Sequence, residues 1–185
     1  MKLLTILLLF LHSIILSAHH HHHHHHPDIV QDTCKKCSSP DANYTLCVDS
    51  FYSIPRSHRA DLRGLGVIAA KLGARNAKLV RSKVRTLLKS HPKDGAGYLS
   101  SCLETCLELY SDSVSGLKDS ATAIRGGRYD YANVAISASV DAPGECEDGF
   151  SEGGIDSPLT EENHEFFGHA VIALDVTAML QGQTR

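Results

Sequence analysis

Tryptophan is missing, methionine occurs twice, and aromatic residues supply only 6% of the 185-residue chain. Such a chain is short of the side chains that favour strands, and apolar–polar alternation is scarce as well, so an all-α class follows. Also missing are the P-loop pattern and GxGxxG. Their absence removes the usual marks of NTPases and dinucleotide-binding enzymes. The expectation is a protein that is not an enzyme and holds no cofactor. Positive charge is in short supply too: 18 Lys and Arg stand against 21 Asp and Glu, for a net charge of −3. The basic residues are not interleaved with aromatics, so nucleic acid is not an expected partner.

Long apolar runs are limited to one. Residues 1–18 carry a lysine, a Leu/Ile-rich stretch and a small-residue end at Ser17 and Ala18, the pattern of a secretory signal peptide. The run falls short of the roughly 20 apolar residues of a membrane span and no second run follows. Secretion is therefore expected, with no membrane association after cleavage. Residues 19–26 are eight histidines, read as an affinity tag. A native metal-binding tract is the alternative, because imidazoles chelate transition metals without help from a fold. Residues 27–185 remain as one domain, long enough to bury a core.

Six cysteines in a secreted chain read as disulfides, with 15 possible pairings. Cys34 and Cys37 also make a CxxC pair, but a redox site expects a βαβ context and a zinc site a second close pair, for which only Cys102 and Cys106 offer themselves.

The chain is organised around residues 98–150. Leu99, Cys102, Cys106, Leu109 and Ser113 recur at three-four spacing, and Leu103, Leu107, Tyr110, Val114, Leu117, Ala121 and Ile124 form a neighbouring stripe. Two adjacent stripes make the wide apolar face of a helix inside a bundle. Gly126 and Gly127 end that helix and let the next return antiparallel, which brings Cys146 level with Cys102 or Cys106. Upstream, helical pieces at 28–37 and 44–52 suggest a hairpin clipped by Cys34 and Cys47. Its turn carries an N-glycosylation sequon at Asn43.

A long helix is expected from His58, capped by Ser57, to about Ser90. Leu62, Leu65, Ala69, Leu72, Leu79, Val80, Val84, Leu87 and Leu88 would face inward. Gly64, Gly66 and Gly73 within it imply close helix approach or a local break. After a turn at 91–95, and a loop at 151–158, a last helix runs from about Leu159 to Gln181. Four long helices with short connections make an up-and-down four-helix bundle with an N-terminal helical hairpin, stapled by disulfides.

Candidate chemistry is thin. His164 and His169 are five residues apart, about 140° around a helix, so they do not grip one ion and read as surface histidines. Glu145, Glu147 and Asp148 surround Cys146 and read as exposed acids. No metal site is expected outside the histidine tract.

The run from Cys106 to Asp112 (CLELYSD) resembles the CxxxY helix of plant invertase and pectin methylesterase inhibitors. Cys146 to Phe150 (CEDGF) is similar to that family's CEDxF segment, and residues 28–47 to its N-terminal hairpin. Asp61 to Gly66 (DLRGLG) and Ser157-Pro158 resemble its plane-tree pollen-allergen branch. The resemblance implies a four-helix bundle with a helical hairpin, and disulfides Cys34–Cys47 and Cys106–Cys146. Cys37 and Cys102 exceed the family's four cysteines and form a third pair by parity.

The resemblance further implies a secreted inhibitor of the cell wall or apoplast. Its partner would be a plant invertase, or alternatively a pectin methylesterase, held in a stoichiometric complex. Invertase inhibitors of the family insert Pro-Lys-Phe into the sucrose pocket. The matching positions here are Tyr129, Asp130 and Tyr131, the expected target-binding residues, where only the aromatic at Tyr131 is kept. A storage-like or merely binding pollen protein on the same scaffold is the reading of a different class. A metal-binding protein would rest on the histidine tract alone.

Overall fold

The computed structural model describes residues 28–37, 43–90 and 97–183, all helical or loop with no strand among them. The expected signal peptide, the polyhistidine tract, the 38–42 loop and the 91–95 turn lie outside the described residues. Among the described residues six α-helices follow in order: α1 Ile29–Lys36, α2 Tyr44–Tyr52, α3 Leu62–Ser90, α4 Tyr98–Arg125, α5 Tyr129–Glu152 and α6 Thr160–Gly182. A 3-10 turn, Pro55–Arg59, separates α2 from α3.

The four long helices close a ring in which α3 packs on α4, α4 on α5, α5 on α6 and α6 back on α3. Their facing stripes build one core containing Leu65, Val80, Leu103, Leu117, Ile124, Ile136 and Phe166. Removing such side chains from water is the main stabilising contribution, about 1.5–3 kcal/mol for each large one. Gly66 and Gly73 serve close approach, and α3 continues through them. A Cβ on Gly66 would stand 3.0 Å from Leu180 Cδ1, and one on Gly73 3.3 Å from Leu117 Cδ1.

Several expectations need correction. The long helix starts at Leu62, not His58, because Pro55 holds the preceding residues in a 3-10 turn. Ser57 is not its cap: the hydroxyl donates to the carbonyls of Phe51 and Ile54. Asp61 does the capping, its Oδ1 accepting the Gly64 N–H at 2.7 Å. Leu79 points outward at 61% exposure, while Asn76, Ala77 and Val80 take the inner face of that turn. The apolar stripe of α3 is narrower there than its leucines imply.

Cys34 is bonded to Cys47, with Cα atoms 5.8 Å apart. Cys106, rather than Cys102, is bonded to Cys146 across 5.0 Å. Cys102 lies one turn away, its thiol 3.2 Å from the Gly149 carbonyl. The expected third pair does not form: Cys37 and Cys102 are both free. Cys37 sits in the field of Asp175, well along α6. Cys102 sits at the other end of the bundle, where α5 leaves and α6 begins. The 15 residues from Thr160 to Asp175 rise about 22 Å, far beyond the ~7 Å Cα limit for a disulfide.

Candidate target-binding site

The turn between α4 and α5 is closed by main-chain geometry. Gly127 N–H donates to Ile124 O at 3.1 Å and Arg128 N–H to Ala123 O at 2.9 Å, the paired bonds of a Schellman motif. Gly127 adopts φ 74°, a left-handed conformation that glycine takes without a Cβ penalty. The chain therefore reverses within two residues, and α5 starts at Tyr129 with its first side chains at the end of the bundle.

These first side chains divide sharply. Tyr129 is 6% exposed and its hydroxyl accepts from Arg63 Nε at 2.8 Å. The Arg63 guanidinium also stands 5.9 Å from the centre of that ring. Tyr129 thus locks α5 to α3 instead of facing a partner. Asp130 is exposed, and its Oδ1 accepts from Gln181 Nε2 at 2.7 Å, near the end of α6. Tyr131 is 54% exposed, and the Arg128 guanidinium lies 5.7 Å from its ring centre. Val134, one turn on, is 72% exposed.

The tip therefore presents a cation, an aromatic ring, a carboxylate and an aliphatic side chain together. Sequence reasoning missed Val134, and it covered Arg128 only as part of the 127–131 stretch expected to touch the target, without singling it out. The three-residue spacing of Arg128, Tyr131 and Val134 was the available signal, since such residues share a helix face.

The other candidates are used within the fold. Glu147 is only half exposed: its Oε1 accepts from Asn163 Nδ2 and from Ser157 Oγ, and its Oε2 from Thr160 Oγ1. Its spacing had read as a solvated acid, but it ties α5 to the start of α6. His169 is likewise not a surface residue. Its side chain is 13% exposed, and burial lowers its pKa against the opposing field of Glu165. His164 is exposed as expected.

Asn43 is exposed and its Oδ1 accepts the Leu46 N–H at 3.1 Å, capping α2. Among the described residues no group of three or more His, Cys, Asp or Glu is arranged to hold a metal ion. No helix there is long and apolar enough to cross a membrane.

The sequence profile described as plant invertase/pectin methylesterase inhibitor matches residues 28–176. A protein of Platanus orientalis named "Putative invertase inhibitor" is 40% identical over 156 residues, covering 83% of this chain and 90% of its own. A "Pectinesterase inhibitor" of Actinidia deliciosa is 32% identical over 122 residues, covering 66% of this chain and 62% of its own. Among solved structures, a pectin methylesterase inhibitor from Arabidopsis, in a mutant form, superposes with a TM-score of 0.63 at 17% identity. It covers 79% of this chain and 93% of its own. That likeness is one of fold.

Proposed function

The chain belongs to the plant invertase/pectin methylesterase inhibitor family, and we propose that it is a secreted cell-wall protein that blocks a plant invertase by forming a one-to-one complex. The family is one of protein inhibitors, so the protein acts as a ligand of an enzyme. The observation that carries invertase is the likeness to the plane-tree protein, which is both stronger and longer than the likeness to the kiwifruit one.

The contact surface is the tip of Arg128, Asp130, Tyr131 and Val134. Aromatic and arginine side chains dominate the energetics of protein interfaces, and here they stack on each other and face outward. Glycoside hydrolases work through paired carboxylates. A guanidinium matches that chemistry, so Arg128 supplies the cation that position 130 lacks. Asp130 is turned to Gln181, which draws its carboxylate towards α6 and away from an acidic pocket. The exposed Asn43 carries a glycan on its amide nitrogen, leaving the capping oxygen undisturbed.

Titration of purified invertase with the protein tests this: activity falls to a plateau at equimolar inhibitor. Tyr131→Ala and Arg128→Ala weaken the inhibition, and Asp130→Lys strengthens it. Stoichiometric loss of pectin methylesterase activity, with invertase untouched, would transfer the proposal to the second enzyme, which the kiwifruit likeness favours. If both enzymes keep full activity, the chain is a non-inhibitory protein on this scaffold.

A further inference from the structure

A concave surface lies beside the tip. It is an open cleft formed by the 3-10 turn, the start of α3 and the last residue of α4, with a volume of about 410 Å³, a size usual for small-ligand sites. Its floor is apolar, from Ala60, Val67 and Ile68. Its charged groups are Arg56, Arg63, Lys71, Arg125 and the single carboxylate of Asp61. The cleft therefore gathers a charge of +3 on a chain whose net charge is −3.

That charge is left uncompensated. Among the described residues the two ion pairs are Lys83–Glu162 and His169–Glu165, and neither involves a cation of the cleft. Asp61 is turned to the Gly64 N–H and caps α3. Arg63 uses Nε on Tyr129, which fixes the plane of its guanidinium while its terminal nitrogens stay available. Like charges gathered in a concave, partly apolar surface concentrate an anionic ligand there.

We infer that this cleft binds an acidic oligosaccharide of the uronate class, with its carboxylates on the cationic rim and the C–H faces of its rings on the apolar floor. A neutral sugar would leave four cations unmatched. A bare phosphate would leave the floor uncovered. Guanidinium groups bind planar carboxylates through paired hydrogen bonds, which suits a uronate. Hydrolysis of a pectin methyl ester supplies such carboxylates, so the ligand arises where one of the enzymes in the family's description acts. The inference is independent of inhibition, and its assay contains no enzyme.

Calorimetric titration at pH 7.5 uses three probes: trigalacturonate, its fully methyl-esterified form, and inorganic phosphate. Trigalacturonate binds, the ester binds at least tenfold more weakly, and affinity falls with added salt. Lys71→Gln with Arg125→Gln weakens the acid form about tenfold, with the helical circular dichroism unchanged. Arg63 is left intact because it holds Tyr129. Absence of trigalacturonate binding, equal binding of the ester, or an unaltered affinity in the folded double variant overturns the assignment. Displacement by equimolar phosphate overturns the sugar class. If the double variant does not fold, the acid-against-ester comparison on the unaltered protein decides.

Discussion

Tyr110 on α4 donates its hydroxyl hydrogen to Oδ1 of Asn163 on α6, across the diagonal of the bundle. The two helices are not neighbours in the ring, so a side chain does what their backbones do not. Asn163 passes the link on, donating from Nδ2 to Glu147 on α5. The Tyr110 ring stands edge-on to Phe166, with ring centres 5.2 Å apart. Burial, then the charges of Glu147 and Glu162, push the phenol pKa up, so it stays a donor across the physiological range. One polar chain, buried at Tyr110 and Asn163, thereby fixes the register of three helices.

Tyr110→Phe removes the donor and leaves a buried amide oxygen without its partner. The expected loss is about 1–3 kcal/mol, measured by urea denaturation. Asn163→Ala should cost a similar amount. The double variant should lose less than the sum, because the two residues share one interaction. Strict additivity would mean that they act separately.

Leu46 of the hairpin rests on Gly168 of α6, where an added Cβ would lie 2.5 Å from Leu46 Cδ2. Gly168→Val should therefore push the hairpin off α6 and lower stability by about 1–3 kcal/mol. Placing Leu46→Ala on that background should recover part of the loss in thermal melting. Without recovery, the clash lies elsewhere.

Thiol titration of the unreduced protein in denaturant should find two thiols, those of Cys37 and Cys102. In the native protein at pH 7 neither should react readily. Burial, then the Asp175 charge, pushes the Cys37 thiol up to about 12. Burial also raises Cys102, which lies within the α4–α5 contact. Zero thiols in denaturant would restore the third disulfide, and four would remove one of the two assigned.

His169 makes stability depend on pH. Its folded pKa lies below the usual histidine value because the ring is buried, with Glu165 opposing and Arg75 lining the same hollow. An unfolded histidine takes up a proton near pH ~6.5, and the folded one resists until lower pH. The unfolded state thus binds more protons in that window, and stability falls as pH drops from about 6.5 towards the folded pKa. Melting temperatures between pH 7.5 and 5 should show this decline, and His169→Gln should flatten it.

The bundle was legible because its signals are local. Stripes at Leu103, Tyr110, Leu117 and Ile124 recur with the helical period, and Gly126-Gly127 stops one helix where the next begins. The α3 boundary was less so. Ser57 and Asp61 are both eligible caps, and only the packing of the 3-10 turn onto the carbonyls of Phe51 and Ile54 takes Ser57 out of contention. Leu79 was misplaced because a helical period admits more leucines to a stripe than the neighbouring helices have room to cover.

At the tip, sequence alone established that an aromatic, an acid and a second aromatic follow a glycine turn. It did not decide which tyrosine faces outward. Tyr129 is drawn inward by Arg63, 66 residues away in the chain, whereas Tyr131 remains outside beneath Arg128. Cysteine parity likewise proposed a third bridge that the bundle refuses, since helix rise sets Cys37 and Cys102 near opposite ends. Periodicity, turn residues and charge are properties of neighbours along the chain, so sequence by itself determined the helices, their number and the reversal at Gly127. Which side chain meets which across the bundle depends on distances between helices, and only the tertiary structure decided the Tyr110–Asn163–Glu147 chain, the Leu46–Gly168 contact and the cationic cleft.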